Sequence, residues 1–126
     1  MVKESSAERF RLDKAFRAYA ANRTEEGFDA FLNEFADCIR EGRHAMVPAE
    51  YVSGALQYGM YRGPGGWYYG ICTSPEELDL LPEAVTVVIL LSDMAKRAGE
   101  DEELKGICVN PGSKDRVYIP REYFEL

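Results

Sequence analysis

Three cysteines and a single histidine are the side chains of this sequence with the widest chemical reach. A thiol nucleophile acts as its thiolate, which forms beside a cation, a histidine or a helix terminus and within reach of solvent. Any Cys–His pair here must use His44. Cys38 falls on an apolar helical stripe, and Cys72 and Cys108 close apolar runs that read as strands, so small core residues are the simpler account of all three. A serine triad would draw on the same His44, and no Gly-x-Ser-x-Gly elbow is present. Metal spacing is absent as well. There is no Cys-x-x-Cys or His-x-x-x-His, and the acidic run Glu100-Asp101-Glu102-Glu103 lacks the alternation and glycine bend of a calcium loop. The glycines Gly63, Gly65 and Gly66 precede a strand, surround Pro64 where a phosphate loop needs an amide, and lack the Gly-Lys-Ser/Thr ending, which makes them a turn. No catalytic residue, metal ligand or cofactor is assigned on these grounds.

Two constellations remain. The first is a pair of echoes, Gly70-Ile71-Cys72-Thr73-Ser74-Pro75 and Gly106-Ile107-Cys108-Val109-Asn110-Pro111. In each, an apolar run reaches polar residues and then a proline, which has no amide to give to a ladder and ends a strand. If the two strands are parallel neighbours, Thr73, Ser74, Asn110 and Gly112 meet beyond their carboxyl ends, where open α/β sheets bind ligands and where the free amides of a helix opened by Pro75 favour an anion. The second constellation is aromatic: Tyr58, Tyr61, Trp67, Tyr68 and Tyr69 flank the Gly/Pro turn. Side chains alternate across a strand, so these rings cannot all face one way. Rings left outside the core would suit a protein partner, with Tyr58, Tyr61, Trp67 and Tyr69 as its anchors.

The elements that position these residues follow from periodicity. Leu12, Ala15, Phe16 and Tyr19 define a helix from about Ser6 to Asn22, and Thr24 caps a second whose apolar face carries Phe28, Phe31, Leu32, Phe35, Cys38 and Ile39 and which stops at Gly42. A short strand, His44 to Val47, is expected to close at Pro48. Residues 54–61 and 67–72 read as a hairpin with a loop longer than the tightest type. Pro75 opens a short helix. Val85 to Ile89 is β-branched and reads as a buried strand, followed by a helix capped by Ser92 and ended by Gly99. Strands over 105–109 and 117–119 and a short helix begun by Pro120 complete the chain. The order implies an α+β (α/β layered) fold: a mixed sheet of about five to six strands, helices mainly on one face, and an N-terminal helix pair.

At 126 residues the chain fits one domain, 1–126, able to bury a core without staples. Apolar residues at 46% and charged ones at 29% place it among ordinary globular proteins. The longest apolar run, Ala84 to Leu91, is too short to span a membrane. No apolar segment precedes the first helix, so no secretory signal is expected, and the odd cysteine count fits a reduced, cytoplasmic setting. The net charge of −7 argues against general nucleic-acid binding. It is unevenly placed: residues 1–23 carry six basic side chains against three acidic, and 74–126 carry twelve acidic against six basic.

Thr73-Ser74-Pro75-Glu76-Glu77-Leu78, the β-branched strand and helix after it, Gly106-Ile107-Cys108-Val109-Asn110-Pro111-Gly112-Ser113 and Ile119-Pro120-Arg121-Glu122 together resemble the SseB N-terminal domain family of bacteria. The opening helices and the strand ending at Val47-Pro48 are similar too, so the likeness spans nearly the whole chain. Cys72 stands where that family commonly has an aromatic residue. The resemblance implies the α+β fold and a bacterial cytoplasmic setting, and it carries over no catalytic residue. With the aromatic hairpin, it leads to the expectation of a non-enzymatic module that holds a protein partner. The alternatives are a small-molecule or anion site at Thr73, Ser74, Asn110 and Gly112, and an acidic immunity-type protein that neutralises a basic toxin.

Overall fold

The computed structural model describes residues 11–82 and 85–124, so the expected helix start near Ser6 lies outside the described residues. Helix α1 spans Arg11–Ala21 and α2 Glu25–Arg40. Thr24 caps α2 as expected, its hydroxyl accepting from Gly27 N–H at 3.0 Å, and the chain leaves the helix through Gly42 in the left-handed region at φ +70°. The two helices are clasped by Arg11, which bonds Glu34 at 2.6 Å and also reaches Asp37 and Glu41.

The strands are β1 (His44–Val52), β2 (Ala55–Tyr58), β3 (Met60–Gly63), β4 (Gly66–Ile71), β5 (Val85–Leu90), β6 (Leu104–Val109) and β7 (Val117–Pro120). Helix α3 (Pro75–Leu78) follows β4, α4 (Leu91–Glu100) follows β5, and a 3₁₀ turn, Arg121–Tyr123, follows β7. The architecture is α+β. Its strands form a three-stranded sheet, β2-β1-β5, and a four-stranded one, β3-β4-β6-β7, where the sequence pattern suggested one mixed sheet. Among the described strands only β4 and β6 run parallel. The sheets meet at a fork: Cys72 N–H donates to Met46 O at 2.8 Å, while the segment β2–β3 bends at Gly59 so that β2 stays on β1 and β3 on β4.

Pro48 explains why β1 does not stop where a proline predicts. Its carbonyl accepts from Gly59 N–H at 2.8 Å, so its missing amide also falls on the fork side and breaks no bond to β5. The strand therefore continues to a two-residue turn at Ser53 and Gly54, both with positive φ, which suits the twist of a tight hairpin. The second hairpin is tight as well. Gly63 pairs with Gly66, leaving only Pro64 and Gly65 in a loop expected to be longer. Helix α4 starts one residue ahead of Ser92, with Leu90 as its cap. The expected burial of Val85–Ile89 is overturned: β5 is a sheet edge, and Val88 is 62% exposed. A β-branched run packs equally well in a central strand or on an edge, and composition does not separate the two.

The core lies between the sheets and the helices on one face. Phe16 of α1, Phe31 and Phe35 of α2, and Leu91, Met94 and Ala98 of α4 close on Val47, Ile71, Ile107, Val109 and Ile119. Each of these is removed almost wholly from water, and each large side chain contributes on the order of 1.5–3 kcal/mol through the area it buries. The opposite face of β4 and β6 carries Cys72 and Cys108 beneath tyrosines. Gly70 makes room for this second layer, because a Cβ there would run into the Tyr61 ring.

Candidate functional site

The parallel pairing of β4 and β6 sets the two Gly-Ile-Cys runs side by side, displaced by two residues so that Gly70 stands opposite Cys108 and Ile71 opposite Val109. Their ends do meet. Asn110 N–H donates to Ile71 O at 2.8 Å, continuing the ladder, and the residue then turns into the left-handed region at φ +56°, a conformation its short amide tolerates better than most side chains. That turn aims the Asn110 side chain back at the first strand end. Its Oδ1 accepts from Thr73 N–H and its Nδ2 donates to Thr73 Oγ1, both at 2.9 Å. Thr73 O–H in turn donates to Asp13 Oδ1 of α1 at 2.6 Å. Arg17, one turn further along α1, lies 3.4 Å from Asp13 and 3.1 Å from Glu77 Oε2 of α3.

Thr73, Ser74, Glu77 and Asn110 are all buried, whereas Gly112 lies at the exposed rim against Leu80. Among the described residues Ser74 Oγ and Glu77 Oε1 have no hydrogen-bond partner. Two carboxylates against one guanidinium leave the cluster electrically negative, which disfavours an anion despite the nearby helix amides. Sequence reasoning missed Asp13, Arg17 and Glu77. The only local signal was the Asp13/Arg17 spacing of four, which brackets Phe16 and puts a charged pair beside the core stripe.

All three cysteines are free and buried. Burial pushes the Cys72 and Cys108 thiols up to about 12, with the Glu77 charge adding to the effect at Cys72, and burial raises Cys38 too. Each is therefore held as a neutral thiol at pH 7. His44 is exposed on β1 opposite Leu90. Among the described residues no group of three or more His, Cys, Asp or Glu side chains is arranged to hold a metal ion.

The aromatic residues divide between the two faces. Facing residues of an antiparallel pair share a side of the sheet, and sides alternate along a strand. From the registers, Tyr51 and Leu56, Tyr58, Met60 and Tyr69, and Arg62 and Trp67 all lie on the helix-bearing side. Tyr61 and Tyr68 lie on the other. Tyr58 and Tyr69 meet edge to face at 6.1 Å and pack against the core, with the Arg97 guanidinium 5.2 Å above Tyr58. Tyr61 is half-buried, and desolvation, with the neighbouring thiols adding to it, pushes its hydroxyl up to about 12. Trp67 stays 42% exposed with Arg62 stacked 5.7 Å from its ring centre.

Beyond the helices the same side continues as an open apolar strip: Tyr51 at 67%, Leu56, Met60 and Trp67 are exposed, and Val85 borders them through its pairing with Ala49. Tyr51 and Leu56 were not picked from the sequence. The Ser53-Gly54 turn was the available signal, since it folds 51 onto 56. Elsewhere, a groove of about 530 Å³ runs between α1 and α2 over Ala15, Ala18, Gly27 and Ala30, and a smaller hollow of about 230 Å³ opens at the fork beside Pro48, Gly59 and Tyr61.

No protein-family model matches this chain, and no curated protein or solved structure matches it. Among the described residues no helix is long and apolar enough to cross a membrane.

Proposed function

We propose that this chain is a non-enzymatic, cytoplasmic protein-interaction module, similar in kind to the SseB N-terminal domains, and that it holds its partner on the apolar strip of the β1–β2 and β3–β4 hairpins. The observation that carries this reading is the exposure of Tyr51 and Leu56 on one hairpin and of Met60 and Trp67 on the other, all on the helix-bearing side, with the half-buried Tyr58–Tyr69 pair between them. Exposed apolar side chains of this kind, carried on strands and rich in tyrosine and tryptophan, are typical of binding surfaces. Arg62 and Arg97 flank the strip, and the Asp101 charge also reaches Tyr69 beside it. A fitting partner brings apolar side chains with carboxylates around them. A basic toxin would meet Arg62 and Arg97 on this face, which ranks the immunity-type reading lower.

The test uses the folded chain, Trp67→Ala and Tyr51→Ala as parallel baits, followed by hydrogen exchange of the chain with any protein captured. A partner retained by the parent, weakened by both variants and protecting the amides of residues 51–60 supports the proposal. A partner held equally by all three would refute it.

A second reading keeps the strand-end cluster as a small-molecule site, favoured by the unpartnered Ser74 Oγ and Glu77 Oε1. Its ligand would be polar or cationic. Thermal-shift screening of the parent against Ser74→Ala decides it: a compound that stabilises the parent alone is required.

A further inference from the structure

β5 has β1 on one side, and the phase of that ladder shows which of its backbone groups are spare. Leu91 N–H donates to Arg43 O at 2.9 Å, so 43 and 91 form a hydrogen-bonded pair of the antiparallel register. Such pairs recur at every second residue, which directs the amides and carbonyls of Ile89, Val87 and Val85 at β1. The far side of β1 gives the same phase, because Met46 O and Pro48 O accept from Cys72 and Gly59 and so point away from β5. Thr86 and Val88, opposite Pro48 and Met46, therefore turn both N–H and C=O outward, and Leu90 turns its N–H outward. Among the described residues these outward groups have no backbone partner.

Proteins usually guard such an edge with charge, proline, a bulge or short length. β7 ends in Pro120, and β2 and β3 are four-residue strands bent apart at Gly59. β5 is six residues, Val-Thr-Val-Val-Ile-Leu, without a charge, a proline or a glycine, and Val88 is 62% exposed on it.

We propose that β5 pairs antiparallel with β5 of a second copy of this chain, about a two-fold axis at Val88. The strand matches itself in phase. With Val88 facing Val88 of the second copy, the two exchange both hydrogen bonds, and Leu90 N–H meets the carbonyl of Thr86 across the axis. Thr86, Val88 and Leu90 share a sheet side with Met46 and Pro48, so the same pairing joins two largely apolar rows and covers Val88, the most exposed of the described valines. Both strands are already extended on β1, and pairing them orders little that is not ordered already. The strand has no charge of its own, so the chain's net −7 opposes association only at longer range, where salt screens it within about 8 Å at physiological ionic strength. A strand pair alone is smaller than the roughly 1,200 Å² of standard interfaces, so the dimer is expected to be weak, dissociating in the micromolar range or above.

Sedimentation velocity over a concentration series tests the dimer, and cross-linking tests its register. The parent is expected to shift from monomer to dimer with concentration, and more readily in added salt. Val88→Lys sets like charges face to face and should weaken the dimer by at least about tenfold. Val88→Pro removes the amide that pairs across the axis and leaves the β1 ladder intact, and should weaken it as well. Both variants are checked for cooperative unfolding. If either is unfolded, the cysteine pair decides: oxidation should link Val88→Cys through facing positions about 5.5 Å apart and leave Thr86→Cys largely unlinked. A parent that is monomeric at every concentration overturns the proposal, as does a dimer indifferent to folded Val88→Lys or equal cross-linking at 86 and 88. A dimer lost only in Trp67→Ala puts the interface on the aromatic strip instead and overturns it equally.

Discussion

The strand-end cluster and the aromatic strip are built from residues that attract notice for opposite reasons. Thr73 and Asn110 are polar yet buried, with Asn110 at 0% exposure. Tyr51, Met60 and Trp67 are apolar yet open to solvent. In the first region Thr73, Asn110 and Asp13 satisfy one another and so join β4, β6 and α1, while Ser74 Oγ and Glu77 Oε1 at its margin stay unpaired among the described residues. In the second, Trp67 meets Arg62 and Tyr51 faces Leu56, yet much of the apolar surface stays open to solvent among the described residues. A polar motif thus gains internal function by burial, while an aromatic cluster keeps external function by escaping it. The comparison can be broken from either side: by showing that the buried cluster is dispensable to the fold, or that the open strip is not.

The largest effect is expected at Asn110. Asn110→Ala leaves the buried Thr73 N–H without its acceptor and forces a Cβ-bearing residue with no local hydrogen bond to hold φ +56°. The two costs together are about 2–4 kcal/mol, read from the midpoint of urea unfolding. Asn110→Gly relieves the backbone and loses only the hydrogen bonds, so it should be destabilised by roughly half as much. If both variants unfold at the parent's midpoint, the cluster is not a fastening and the contrast with the strip collapses.

How these regions appear in the sequence depends on how local their causes are. The Phe28–Ile39 stripe, the Thr24 cap and the Gly42 stop are all fixed within a few residues, and α2 formed where they placed it. The meeting of Thr73 and Asn110 was foreseeable from the echo because two matching strand ends suggest parallel neighbours. Asp13 was not, since its bond to Thr73 spans sixty residues and leaves no local mark. The fork was hidden for a different reason. Gly59 bends one apolar run between two sheets, but a glycine inside a strand reads the same whether it bends or merely allows close approach. Pro48 misled in the other direction, because its effect depends on which side of β1 its absent amide faces. For β5, composition gave the strand and could not give its place at the edge.

The next effect belongs to the tyrosine layer that separates the two regions. Gly70→Ala would drive a methyl group into the Tyr61 ring above Cys72 and Cys108. Overpacking of this kind costs about 1–3 kcal/mol and should appear as a lower unfolding midpoint with unchanged helix content. The same layer predicts a pH dependence. The Cys72 and Cys108 thiols are raised from 9.0 to about 12 and the Tyr61 hydroxyl from 10.0 to about 12. Between these values the folded chain holds protons that the unfolded chain releases, so stability must fall as pH rises from about 9 toward 12. Urea midpoints at pH 8 and pH 10.5 check the sign, and a flat profile would mean that the layer admits water. Native Cys72 and Cys108 should likewise resist thiol reagents at pH 8.

The smallest effect on stability is expected in the strip, and its smallness is the point. Trp67 stacks with Arg62 and lies outside the core cluster, so Trp67→Ala should change unfolding stability by about 1 kcal/mol, near the range of surface substitutions and an exposed cation–π contact. Tyr51, at 67% exposure, should fall below that. Tyr69→Ala, by contrast, removes a ring packed on the core and should cost about 3 kcal/mol or more. Neighbouring tyrosine and tryptophan positions on one strand would then differ severalfold in their structural cost, although a sequence reading groups them as a single aromatic hairpin. A Trp67→Ala variant as unstable as Tyr69→Ala would make the strip part of the core and remove the reason for assigning it a partner. A fully stable variant leaves the ring with no role in folding, and its position on an open, arginine-flanked face then has to be explained by what it touches outside the chain.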